Sequence, residues 1–287
     1  MLCFCTFGLV RQSHINQQLN SQQLTDTLET DTLPKLLTPF ELTELLRSKT
    51  KTDKRYQAKD QIPYADLFQL YAPETAWQWE LLAAVCYAES KFNPNAKSRS
   101  GAMGLMQMMP KIAARYEIED PFDPEQSIAA GVRYINSLNE LYSFIGNKKE
   151  RIKFILASYN AGPAHIMDAR RLAKKYGADP YLWYENTEYW LYCLQDSAYA
   201  SDTLVHFGRF KPMQTLLYVH KVLRTYDHYR NLPEFSLDTL QLDETDDPEI
   251  PDIEHSDSML IDSLSEKKYE QAIIQDIDSG NSAYNTN

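Results

Sequence analysis

Three short segments of this sequence carry side chains that could do chemistry, and an acid heads the first of them. Glu89 opens the run Glu89-Ser90-Lys91-Phe92-Asn93-Pro94. Pro94 disfavours helical geometry at Asn93, which predicts that a helix ends here. Glu89 follows Val85 by four residues and Leu82 by seven, so it shares a partly apolar stripe of that helix. A carboxyl at a helix end, beside apolar groups and facing a cleft, is penalised for ionising, and its pKa rises. A general acid working near neutral pH needs that shift. Read by itself, Glu89 is more simply a solvated glutamate on a helix surface.

The second segment runs Ser98-Arg99-Ser100-Gly101-Ala102-Met103-Gly104-Leu105-Met106-Gln107-Met108-Met109-Pro110. Its two glycines permit turns and close backbone approach, which would bring the Gln107 amide back toward the end of the Glu89 helix. The third, Ala157-Ser158-Tyr159-Asn160-Ala161-Gly162-Pro163, offers a tyrosine hydroxyl and an asparagine amide at a helix terminus. The plainer readings are a glycine turn followed by a methionine-rich core, and an ordinary Asn-Gly helix stop. After Glu89 the next acid is Glu117, so these segments supply no second carboxylate, although a distant acid could still fold into the cleft. No HExxH pattern occurs among the histidines, and Cys3, Cys5, Cys86 and Cys193 do not have zinc-site spacing. No metal and no cofactor is expected. A Cys86–Cys193 disulfide is conceivable in an exported protein; two buried thiols are the plainer reading.

The elements that must position these residues read as helices. Apolar spacing predicts helices over 75–88, 124–141, 152–159, 164–175 and 214–229. The first would turn Trp77, Leu81, Val85 and Ala88 inward. The second opens on Pro124 and buries Ile128, Val132, Ile135, Leu138 and Leu141. The last would bury Leu217, Val219, Val222 and Tyr226. Residues 93–109, with Pro, Asn, Ser and two Gly, suit turns or a small hairpin. The aromatics Trp183, Tyr184, Tyr189, Trp190 and Tyr192 offer either a stacking surface or core. No repeat and no βαβ alternation is present. The expected fold class is mainly α (α+β): a single helical domain with a small hairpin or turn region after the Glu89 helix.

Composition divides the chain unevenly. Its net charge of −11 sits at one end, because residues 233–287 hold 15 Asp and Glu against two Lys. The other 232 residues hold 25 acids and 27 bases, too nearly balanced for nucleic acid to be the partner. The 19 tyrosines suit a groove for ring-shaped ligands or a core edge. Residues 1–60 read as an apolar N-terminus, a shortened export signal without its basic leader or merely apolar, followed by a polar linker with some helix near 39–48. Residues 61–232 read as the catalytic domain, and 233–287 as an acidic, extended tail with an amphipathic stretch at 256–274.

In order, ES-x-x-NP, S-x-x-GAxGLMQ-x-MP and ASYNAGP resemble the soluble lytic transglycosylase family, whose fold is goose-type-lysozyme-like. The Ala130-Gly131-Val132-Arg133-Tyr134-Ile135 and Tyr218-Val219-His220-Lys221-Val222-Leu223 stretches resemble that family's AGxxYL and YVxxV helices. The similarity runs over about residues 70–230. It implies that Glu89 is the sole catalytic residue. Glu89 would protonate the glycosidic oxygen between N-acetylmuramic acid and N-acetylglucosamine, then act as base on the muramic 6-hydroxyl to close a 1,6-anhydro ring. It also implies that Ser98, Gln107, Met109, Tyr159 and Asn160 hold the sugar and its N-acetyl group. The implied partner is the peptidoglycan glycan strand, met by a monomer in the periplasm or cell envelope; membrane association through the N-terminus is compatible with this.

Glycosidases use paired carboxylates about 5–5.5 Å apart when retaining and about 6.5–9.5 Å when inverting. Without an obvious second carboxylate, the substrate's acetamido oxygen is the natural stabiliser of the cationic transition state. The sequence departs from the family at Gln214-Thr215, where many members carry Glu-Thr; this bears on stem-peptide preference rather than on bond breaking. The alternatives are a lysozyme-type hydrolase on the same fold and a non-catalytic wall-binding module.

Overall fold

The computed structural model describes residues 36–234. The expectations for the apolar N-terminus and most of the acidic tail lie outside these residues. An arm comes first: helix α1 (Pro39–Lys49), started by a reciprocal Thr38–Glu41 capping box, then an extended stretch to about residue 58. Helix α2 (Ala65–Tyr71) leads to α3 (Trp79–Ser90), and a loop leads to the short α4 (Pro110–Arg115). Helices α5 (Pro124–Leu141), α6 (Lys148–Ala161) and α7 (Pro163–Lys175) follow. The short α8 (Glu188–Cys193) and α9 (Ser197–Ala200) precede the long α10 (Met213–Arg230). Among the described residues the extended pairing consists of two isolated antiparallel bridges, Lys97 with Met103 and Met103 with Met108. The fold is therefore mainly α, with the small turn region where the glycines predicted it.

Helix α3 is the centre. Every residue from Glu80 to Tyr87 is buried, so the one-faced helix expected from the sequence is instead enclosed on all sides, chiefly by α10 and α2. It also starts at Trp79, later than expected. The Thr75 hydroxyl bonds the Ala72 carbonyl and accepts the Trp77 amide, and Ala76 sits at φ 54°, which together break the helical path. At the other end, Lys91 and Phe92 both adopt left-handed backbone, φ 54° and 63°, so the helix stops before Pro94 can stop it. Ring contacts of buried Phe92 with Tyr56, Phe68 and Tyr87 offset that strain.

Helix α5 follows its sequence closely: Asp123 caps it, and Ile128, Val132, Ile135, Leu138 and Leu141 are all buried. On α10 the inward face is Leu216, Val219 and Val222, with Tyr218 and Tyr229. Leu217 and Tyr226, expected inside, are only half-buried; Leu217 lines a cavity and the Tyr226 hydroxyl bonds Gln78. Trp183, Trp190 and Tyr192 are buried, which makes that aromatic stretch mainly core. Cys86 and Cys193 are both buried free thiols.

The arm is seated by polar contacts spanning long sequence separations. Arg224 on α10 donates to the Thr50 carbonyl, and the Tyr87 hydroxyl donates to Asp53. On the inner side of α1, the Thr43 hydroxyl reaches Glu188 at 3.3 Å, and Glu188 lies 2.7 Å from His220 Nε2. Glu188 is wholly buried, so removing its close partner strands a carboxyl in the core. His220→Ala should therefore cost about 3–5 kcal/mol. Urea denaturation checks this, and a loss below about 1 kcal/mol would place the pair outside the stability of the fold.

Candidate active site

The last turn of α3 ends at a cavity of about 590 Å³. Of the residues singled out in the sequence, Glu89, Ser98, Gln107 and Asn160 line it together. They arrive from three places: the end of α3, the loop after it, and the end of α6. Among the described residues Glu89 is the only acid in the lining.

Each polar group is held by its neighbours. In the loop, Met103 and Met108 exchange both backbone hydrogen bonds, at 3.0 and 2.9 Å, and so turn the chain back. Gly104 makes this possible: at φ +75°, an added Cβ would lie 1.9 Å from the Pro121 carbonyl oxygen. Gln107, itself at φ 49°, donates both protons of its amide nitrogen, to the Ala96 carbonyl at 3.1 Å and the Gly104 carbonyl at 3.0 Å. Only an NH₂ can satisfy two carbonyls, so the amide orientation is fixed and its oxygen is left for the cavity. Asn160 is the converse. Its oxygen accepts the Thr215 hydroxyl at 2.9 Å, which leaves its NH₂ as donor. The Ser98 hydroxyl accepts the Ala102 amide at 2.9 Å.

Two of the expected sugar contacts sit elsewhere. Tyr159 lies behind the loop, where its hydroxyl donates to the Met106 carbonyl at 2.8 Å and its ring packs on Tyr134. Met109 is half-buried as the residue preceding α4 and is not part of the cavity lining. Tyr159 thereby braces the loop.

The sequence reading missed several neighbours. Tyr218, quoted only as part of a core helix, has its hydroxyl beside the Glu89 carboxyl; it falls short of hydrogen-bond geometry there and is buried with no other partner. Lys221, one turn along, also lines the cavity, as do the arm residues Lys49, Thr50 and Lys51; Gln214, singled out in the sequence, lines it too. The signal for Tyr218 was its place in the YV motif, whereas nothing local in the sequence marks the arm.

Burial pushes the Glu89 carboxyl up to about 7, overriding the Tyr218 hydroxyl and the Lys221 ammonium, which both pull it down. Folded Glu89 thus holds its proton across a range in which the unfolded carboxyl, near 4.5, has lost it. The stability it allows is complete below pH 4.5 and declines as pH rises through about 7. Glu89→Gln should therefore stabilise the protein by about 2–3 kcal/mol near pH 8, with the gain vanishing below about pH 4.5. Denaturation curves at the two pH values test this; equal gains at both would remove desolvation as the cause.

The family model described as Transglycosylase SLT domain matches residues 66–182. A membrane-bound lytic murein transglycosylase F from Vibrio cholerae is 40% identical over 163 residues, covering 57% of this chain and 30% of that protein. A protein of the same description from Desulfosudis oleivorans is 36% identical over 164 residues, covering 57% and 36%. The chain thus spans about a third of the length of the curated relatives it matches. The crystal structure of the 70 kDa soluble lytic transglycosylase from Escherichia coli aligns at 26% identity and TM-score 0.38, over 60% of this chain and 25% of that one. The matched segment contains Glu89, Ser98, Gln107, Tyr159 and Asn160, so the part of the chain that is similar to the transglycosylase SLT domain carries all five.

Proposed function

We propose that this chain is a peptidoglycan lytic transglycosylase that cleaves the β-1,4 bond between N-acetylmuramic acid and N-acetylglucosamine and leaves 1,6-anhydro-muramic ends. The observation that carries this reading is the solitary acid: a carboxyl pushed up to about 7, in a cavity lined by no second carboxylate among the described residues. Its relatives are lytic murein transglycosylases by description, and the matched segment holds Glu89, Ser98, Gln107 and Asn160.

Protonated Glu89 gives its proton to the glycosidic oxygen as the bond breaks, and positive charge develops on the sugar ring. Asn160, with a free NH₂, suits the acetamido oxygen; Gln107, with a free carbonyl, suits the acetamido N–H. Held between them, the acetamido group turns its oxygen toward the anomeric carbon and stabilises the cation where no protein carboxylate stands. Glu89, now ionised, takes the proton of the muramic 6-hydroxyl, which closes on the anomeric carbon. The proton balance closes without water, and Tyr218 and Lys221 ease the ionised stage. Ser98 contributes a hydroxyl to the sugar. Tyr159 acts by holding the loop. The form proposed is a monomer. Its substrate would place the protein in the cell envelope, on the periplasmic side. No helix of the described residues is long and apolar enough to cross a membrane.

Glu89→Gln, which keeps size and removes the proton, should lower turnover of purified sacculi by about 10²–10⁴-fold. Mass spectrometry of wild-type products should give 1,6-anhydro ends; reducing muramic ends would assign hydrolysis instead, and no release at all would leave a binding module. The acid must be protonated at the start, so kcat/KM should fall as pH rises through about 7. A flat profile from pH 6 to about 9 would disqualify Glu89 as that acid.

A further inference from the structure

The cavity wall contains a charge arrangement that the bond-breaking step does not use. Lys49 and Lys51 from the arm and Lys221 from α10 line the same space as Glu89. Among the described residues none of the three has an ion-pair partner, whereas Lys59, Lys153 and Lys175 each pair with an acid. Gln214 beside them is neutral. Burial lowers the Lys221 ammonium, Lys91 adds repulsion, and Glu89 and Asp53 draw it the other way. An anion in the cavity would meet three lysines and, among the described residues, the single acid Glu89.

The wall is built, not draped. Thr50, between the two arm lysines, is buried; its hydroxyl donates to the Leu46 carbonyl at 3.0 Å, and its own carbonyl accepts Arg224, one turn beyond Lys221. The backbone of Lys49 and Lys51 is therefore fixed against α10 while their ammonium groups stay in solvent. Both lysines lie outside the matched residues 66–182.

We infer that Lys49, Lys51 and Lys221 form a carboxylate-binding subsite, which takes an anionic group hanging from the muramic residue of the strand. This rests on the proposed peptidoglycan substrate. Lysines act as point charges rather than planar forks, so the subsite selects for charge and tolerates variable placement. Two sources carry that chemistry: the carboxylates of a stem peptide, or the free lactyl carboxylate where the stem has been removed.

The test measures dissociation constants in the full chain carrying Glu89→Gln, so that binding is read without turnover. Three strand preparations are compared: peptide-bearing, denuded with free lactyl carboxylates, and denuded with those carboxylates converted to methylamides. Adding Lys49→Ala and Lys51→Ala should lower the preference for a carboxylate-bearing strand over the amidated one by about tenfold, the scale of two exposed charge contacts. Loss confined to peptide-bearing strands assigns the stem; loss confined to denuded strands assigns the lactyl group. The preference should also collapse near 1 M salt, where the Debye length is about 3 Å. An unchanged preference, or equal loss on all three preparations, overturns the subsite. Lys49→Arg with Lys51→Arg, which keeps the charges, should restore it and separates charge from folding. Failure of the reaction itself would show independently, as wild-type protein releasing no anhydro ends.

Discussion

The burial of α3 on every side is the constraint from which the site follows. Hidden from Glu80 to Tyr87, the helix reaches the cavity in its final turn, through Ala88 and Glu89. The carboxyl is then surrounded by packed protein yet open to a ligand. Water cannot solvate it well, so it retains a proton that an exposed glutamate would shed. The polar groups around it are arranged to leave this unchanged: Tyr218 and Lys221 favour ionisation, but too weakly to reverse the effect of burial. Placed one turn earlier the acid would be entombed.

The sugar-facing groups obey a second constraint, because each amide is committed at one end. Gln107 spends its nitrogen on the loop that carries it, and Asn160 spends its oxygen on Thr215 of α10. The loop, α6 and α10 are thereby linked through the groups that would touch substrate. A change in packing between α6 and α10 reaches the cavity through Thr215 and Asn160 without touching Glu89.

Much of this was legible in the sequence where the cause is local. Pro124 and the period of Ile128, Val132 and Ile135 gave α5, and the two glycines of the loop gave the turn region. The ordered motifs singled out Glu89, Ser98, Gln107 and Asn160, and the structure gathers all four. What the sequence could not show is set by distant partners. Tyr218 reads as a core residue until α10 is laid along α3. Tyr159 offers a hydroxyl, but Met106 takes it. Trp183 and Trp190 could stack on sugars only if nothing else covered them, and the core does. Lys49 and Lys51 look like linker residues because the contact that seats them, Thr50 with Arg224, spans 174 positions.

That contact bears on where the protein can be cut. The family segment begins at residue 66 and ends at 182, yet α10 covers α3 from beyond that end and the arm covers α10 from before its start. A fragment trimmed to the family borders would carry the acid and the loop but expose the apolar side of α3 that α10 hides, and it would lack an entire side of the cavity. The inherited motif is thus shorter than the smallest piece that can be expected to fold, and a useful expression boundary lies before Thr38, the residue that caps α1, and after Arg230, the last residue of α10.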